Sequence, residues 1–493
     1  MLAPPSPAPP TIATVLAAQT ARDNVGATFN LATCGWVVGP LGARWYLDTV
    51  LPPNWSISSI DQQVGNTPVD PAYANITRHK KWAIPWLEDD PGLTSLELWV
   101  NRTLEHNQQA LGYGANGLLN IHWRTRSISP QAEASHAYAW NASLQSTDFW
   151  SSWAEDNFGP SAAAGAAAVF MGLDSYACPR PVDWIGGPGG WNPGNCAPLA
   201  AGVYAFPDTF FALRPLLLAD IASARADHAT LERFDYWLTT LRYTRSIART
   251  TCAWQAYDSA IAAISRMPAG PARQAAAQSQ GFAAWADLLG NATVCQWDLL
   301  SSASTLAEWG TVVNTQSHTI LPRFLGPASQ GALAALAGLP ALPPQLQPTR
   351  DFDAGRVPLL RVPVARTSLG AGEALNVRAF LVASSAYAQR AATALTLMAA
   401  PLGSSAYVAY NMTPAPSDGP QRNVWQASIP APSIPAGGLQ WYVSAALSCG
   451  AGECSFAGPA ALLPSPGASI QGSAITLVFP PTAPAVPHSV VIV

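Results

Sequence analysis

The stretch Lys81-Trp82-Ala83-Ile84-Pro85-Trp86-Leu87-Glu88-Asp89-Asp90 carries the most structural information in the chain. Extended backbone alternates its faces with period two. Trp82, Ile84, Trp86 and Glu88 therefore share one side, and Ala83, Pro85, Leu87 and Asp89 the other. Pro91 keeps Asp90 extended and turns the chain toward an amphipathic helix predicted over 93–112. A second strand follows over 117–123. Strand, helix and strand at this spacing predict parallel βα units.

Two earlier strands, 28–38 and 57–64, extend the pattern toward the N-terminus. The expected fold class is α/β, a partial or complete TIM-barrel-like region over 24–145 behind a Pro-rich tail, 1–23. Four strands make half of an eight-stranded barrel, and half a barrel leaves open parallel edges. The remaining strands are expected to precede residue 1, as is a signal peptide, since residues 1–10 have neither a basic nor an apolar segment. Residues 146–338 read as mostly helical, with helices at 161–173, 208–227, 231–266 and 272–288. A Pro-rich linker, 339–356, leads to short alternating strands over 357–493, the pattern of an Ig-like β-sandwich.

The 493 residues are 49% hydrophobic and only 11% charged, which favours folded domains over disorder. A net charge of −4 gives no electrostatic footprint for a nucleic-acid partner. No run of apolar residues is long enough to predict a membrane span. Six of the seven cysteines fall into candidate pairs, Cys178–Cys196, Cys252–Cys295 and Cys449–Cys454, leaving Cys34. With N-x-[ST] sequons at Asn54, Asn75, Asn101, Asn141, Asn291 and Asn411, this predicts an oxidising, secretory or extracellular setting.

The candidate chemistry lies at strand ends, where parallel barrels keep their reactive groups. Tryptophan beside a carboxylate suits a sugar, because indole stacks on the ring's C–H face while the acid reaches its oxygens. Glu88, on the face of Trp82 and Trp86, is the expected proton-transfer group, with Asp89 as helper. Asp90 reads as a helix cap. Asp61 on the preceding strand is the candidate for the second carboxylate that glycoside hydrolysis requires. On strand 117–123, Leu119, Ile121 and Trp123 form an apolar set expected to pack under helices. Asn120, His122 and Arg124 form the polar set expected to face substrate: His122 to orient a carboxylate or bind a hydroxyl, Arg124 to pair with an acid. Nucleotide loops, zinc-protease motifs and nucleophile elbows do not occur, no metal-ligand spacing is present, and no cofactor is expected.

The run Ala32-Thr-Cys-Gly-Trp-Val-Val, the 82–91 segment, the 117–126 strand and Tyr236-Trp-Leu-Thr-Thr-Leu-Arg-Tyr together resemble secreted glycoside-hydrolase-like proteins. The layout is similar to that of β-hexosaminidases and α-glucuronidases. The resemblance implies an exo-glycosidase with a (β/α)8 catalytic domain acting on oligosaccharide or polysaccharide through paired carboxylates. It also admits a non-catalytic carbohydrate-binding or cell-wall glycoprotein of the same fold. The hexosaminidase Asp-Glu pair is replaced here by Glu88-Asp89-Asp90.

Overall fold

A computed structural model of the chain describes residues 23, 32–33, 46–60, 68–88, 96–124, 126–174, 196–200, 202–226, 229–302, 308, 311–312, 315, 325–348, 359–361, 368–382, 392–415, 424–450, 467–471, 474–479 and 488–492. The chain divides into two compact units, Met1–Trp153 with Phe170–Gly190, and Ala154–Val169 with Trp191–Val493.

The first unit is built on strands β1 (Ala32–Thr33), β2 (Ser56–Ile60), β3 (Lys80–Ile84) and β4 (Gly117–Leu118). All pair in parallel, in the order β1-β2-β3-β4. Sequential order is what right-handed crossovers give when every connection runs over the same face. Helix α1 (Leu47–Val50), a 3-10 turn (Pro71–Asn75) and helix α2 (Val100–Gly112) make those crossovers. Register puts Ile57, Ala83 and Leu118 on one face of the sheet, where they pack with Leu47, Leu51, Tyr73, Ile76 and Ala110. The described strands form an open sheet; β2 begins one residue before the expected 57–64 segment, and β4 begins at the expected residue 117 and ends at Leu118, short of 123.

Buried charge ties the crossovers down. Asp48 on α1 accepts from the backbone amides of Thr77, Arg78 and His79 and faces Nδ1 of His79 at 2.9 Å. Burial alone would push the Asp48 carboxyl up, but these donors outweigh it and hold it at about 2. Lys81 reaches through the same layer, its Nζ donating to the carbonyls of Tyr73 and Ile76 at 2.7 Å each. Burial lowers its pKa, and Asp48 works in the opposite sense.

Helix α2 begins at Val100, not at the expected residue 93. The reason is tertiary: the carboxylate of Asp174, at the end of a later helix, accepts from the amide of Asn101 at 3.1 Å. Helices α3 (Ser129–Trp140), α4 (Ser146–Phe158) and α5 (Pro160–Asp174) follow. Trp150, Trp153 and Phe170 pack ring on ring, with Trp150 stacked on Phe170 at 5.5 Å. This cluster ties Phe170 to Trp150 and Trp153 within the first unit.

In the second unit, α6 (Phe206–Phe211) and α7 (Arg214–Ala222) replace the single helix expected over 208–227, with Pro215 at the start of the second. The long helix α8 (Ala229–Ser265) lies within two residues of its expected limits and packs extensively on α9 (Phe282–Ser302). Phe210 and Phe234 stack at 4.4 Å, and Tyr257 meets Trp285 at 5.2 Å. Toward the C-terminus, β5 (Leu359–Arg361), β7 (Leu375–Val382), β10 (Thr413–Pro414) and β11 (Val424–Ile429) form an antiparallel sheet. A second sheet contains β6 (Ser368–Leu369), β8 (Ala392–Pro401), β9 (Val408–Asn411), β12 (Leu439–Gly450), β13 (Gly467–Gln471), β14 (Ala474–Phe479) and β15 (His488–Ile492). Each sheet buries alternate residues: Leu375, Val377 and Ala379 in one, Leu395, Leu397 and Ala399 opposite Val443 and Trp441 in the other. Among the described residues, no helix is long and apolar enough to cross a membrane.

Candidate functional site

Beyond Ile84 the third strand continues as a looser ladder. Leu119 and Ile121 donate to the carbonyls of Ala83 and Pro85, Leu87 donates to that of Ile121, and Trp86 bridges to Ile121. This carries Glu88 to the C-terminal rim of the sheet beside residues 122–124. Glu88 is fully buried. Its Oε1 accepts from the backbone amides of Trp123 at 2.5 Å and Arg124 at 2.6 Å. Its Oε2 accepts from the Nε–H of Arg124 at 2.6 Å.

Both oxygens are thus engaged by donors of the rim backbone and of Arg124, and the side chain is closed off from solvent. This geometry makes Glu88 a positioning group for the rim. It does not favour the proton-transfer role expected from strand parity. The group it positions is Trp123, whose ring is 54% exposed and lies 6.1 Å from that of buried Trp86, tilted by 57°.

The facing of strand 117–124 differs from that expected at Leu119, Asn120, Trp123 and Arg124, while His122 is exposed as expected. Asn120 turns toward the helices and donates to Ser135 Oγ on α3 at 2.8 Å, and Arg124 turns in to Glu88. Leu119 and Trp123, expected under helices, are more than half exposed. Parity was legible, but the choice of face was made by buried partners elsewhere in the chain. Trp123 therefore escaped notice as a surface residue. Trp82 is half-buried and lies directly over Gly117, where a Cβ would come within 2.5 Å of its ring. His122 is exposed. Its Nδ1 faces the carbonyl of Arg124 at 2.9 Å and so carries the hydrogen, leaving Nε2 without a protein partner among the described residues. The rim thus offers one indole face and one outward imidazole nitrogen side by side. Asp61 and Asp89 lie outside the described residues.

A second buried polar group went unseen in the sequence. Asp174 accepts from Trp150 Nε1 at 3.0 Å as well as from Asn101. Burial pushes its pKa up to about 6 against those hydrogen bonds and the attraction of Arg102. His106, one turn after Arg102 on α2, is pushed down to about 4 by burial and by that same cation. Arg102 itself stacks over Trp99, 3.8 Å from the ring centroid. Nothing in the local sequence links residue 174 to residue 101.

The cysteine pairing also differs from that expected. Cys196 bonds to Cys252, so neither Cys178–Cys196 nor Cys252–Cys295 forms, and Cys295 is a free, buried thiol. Spacing alone favoured nearer partners, whereas α8 brings Cys252 to the segment before residue 197. Cys178, Cys454 and Cys34 lie outside the described residues. Among the described residues no three His, Cys, Asp or Glu side chains are grouped to hold a metal ion. No protein-family model, curated protein or solved structure matches the chain.

Proposed function

We propose that the first unit is a carbohydrate-binding module of glycoside-hydrolase type, which receives sugar at the C-terminal rim of its parallel sheet. Trp123 supplies the stacking face, His122 Nε2 a hydrogen-bond acceptor, and Glu88 with Arg124 the buried anchor that holds residues 122–124 in place. The observation that carries the proposal is the exposed Trp123 ring backed by Trp86, on a backbone whose amide is fixed to a fully buried carboxylate. An indole held rigidly in water loses little entropy when it stacks on a sugar. The singly wound strand order supports a barrel-type scaffold. Hydrolysis is the second reading, and it calls on Asp61 and Asp89 for the two carboxylates.

The test is binding of the full chain to a panel of soluble oligosaccharides, measured by calorimetry. Trp123→Ala is expected to weaken binding about fivefold, the loss of ~1 kcal/mol of stacking. Unchanged affinity in Trp123→Ala, or no glycan bound by the parent chain, removes the proposal.

A further inference from the structure

The fold treats the six sequons very differently. Asn101 lies in the first turn of α2, and the hydroxyl-bearing Thr103 is 3% exposed. Asn291 lies inside α9, its amide nitrogen already donating to the Asp287 carbonyl at 2.9 Å and carboxylate at 3.1 Å. Asn54 is followed by Trp55 and Ser56, both buried as the chain enters β2. After Asn75, the Thr77 hydroxyl turns to Asp48. Asn411 ends β9, with Met412 buried and Pro414 behind Thr413.

Asn141 stands apart. Asn141, Ala142 and Ser143 are all exposed in the turn that follows α3. The turn is anchored at both sides, Asn141 N–H donating to Ala137 O at 2.9 Å and Leu144 N–H to Asn141 O at 3.0 Å. Asn141 Oδ1 accepts from the Ser143 amide at 3.1 Å and the Ser143 hydroxyl at 2.7 Å. This Asx turn sets the hydroxyl two residues on against the carboxamide, the contact that the N-x-[ST] spacing makes possible. It leaves Nδ2 pointing to no partner among the described residues. Immediately before it, Trp140 is 93% exposed, an extreme for so large an apolar ring.

We infer that Asn141 is the N-glycan acceptor of the folded chain, and that the Trp140 indole is the face against which its first sugar lies. In the transfer, Nδ2 forms a bond to C1 of a diphosphate-activated sugar. The bond from C1 to the phosphate oxygen breaks, the diphosphate leaves with that electron pair, and one Nδ2 proton passes to a base of the transferase. No oxidation state changes. The inference is independent of sugar binding at the Trp123 rim.

The test treats the folded full chain with a soluble asparagine N-glucosyltransferase and nucleotide-diphosphate glucose, and maps the product by peptide mass spectrometry. One hexose at Asn141 is expected, with the other five sequons modified at least tenfold less. The urea-unfolded chain should gain hexose at several of them, while Asn141→Gln and Ser143→Ala should lose the folded-chain signal. An unmodified Asn141, equal modification elsewhere in the folded chain, or the same single site after unfolding overturns the inference. The modified chain should also melt higher than the unmodified one, and Trp140→Ala should erase that difference; a difference that persists removes Trp140 from the proposal.

Discussion

The parallel sheet of the first unit and the two sheets near the C-terminus solve the same problem in different ways. Among its described residues the parallel region buries Asp48, Glu88, Glu97 and Asp174. Asp48, Glu88 and Asp174 accept from backbone amides in connections or helix starts. Between 368 and 444, every buried side chain among those described is apolar, and the core is alternating residues such as Leu375, Val377, Leu395 and Leu397. Antiparallel neighbours satisfy their amides on one another across short turns, whereas parallel strands need long crossovers whose amides must find partners elsewhere. Buried acids supply those partners. The difference teaches that carboxylates at the strand ends here are first of all devices for holding loops.

That comparison can be broken most sharply at Glu88. Glu88→Ala leaves Arg124 buried without its counter-ion and two amides without an acceptor, and should destabilise the first unit by about 3–5 kcal/mol. Denaturant melts followed by hydrogen exchange over 117–140 would show it. A change within ~1 kcal/mol would return Glu88 to the list of reactive groups. The matching change in the C-terminal region is Leu397→Ala, at a fully buried position paired with Val443. It should cost about 3 kcal/mol, equally at pH 4 and pH 7, because only packing is lost.

Asp174 and His106 sharpen the contrast through pH. His106, lowered to about 4, gives stability that is full above its ordinary value of 6.5 and is lost as pH falls toward 4. Asp174, raised to about 6, carries a penalty that is full above pH 6 and is relieved as pH falls toward 3.8. The two nearly cancel, so the parent should be flat across this window. Asp174→Asn removes the relief and should lose about 3 kcal/mol between pH 6.5 and 4. A flat profile in Asp174→Asn would falsify the opposition. The smallest effect belongs to Asp48. With its carboxyl held at about 2, below the ordinary 3.8, its stabilisation is complete above pH 4 and is lost as pH falls through 2. That is about 2 kcal/mol of acid sensitivity, which Asp48→Asn should abolish and the C-terminal sheets should lack.

Local pattern carried much of this architecture. The period-two alternation around Trp82, the turn residues, and the long apolar periodicity of residues 231–266 located all four parallel strands and the central helix α8. The described part of the run, Lys81 to Glu88, leads to the rim of the sheet, and alternation along it is a property of neighbouring residues. What each side chain does there was decided elsewhere. Arg124 turned Glu88 into an anchor, Ser135 drew Asn120 away from the surface and left Trp123 outside, and Asp174 set the first turn of α2 from more than seventy residues away. Cys196 likewise found Cys252 in place of its nearer candidate. Periodicity specifies which residues share a face, since that follows from backbone geometry alone. Which face is buried, and which carboxylate is free to act, depends on partners that only the folded chain brings within hydrogen-bonding distance.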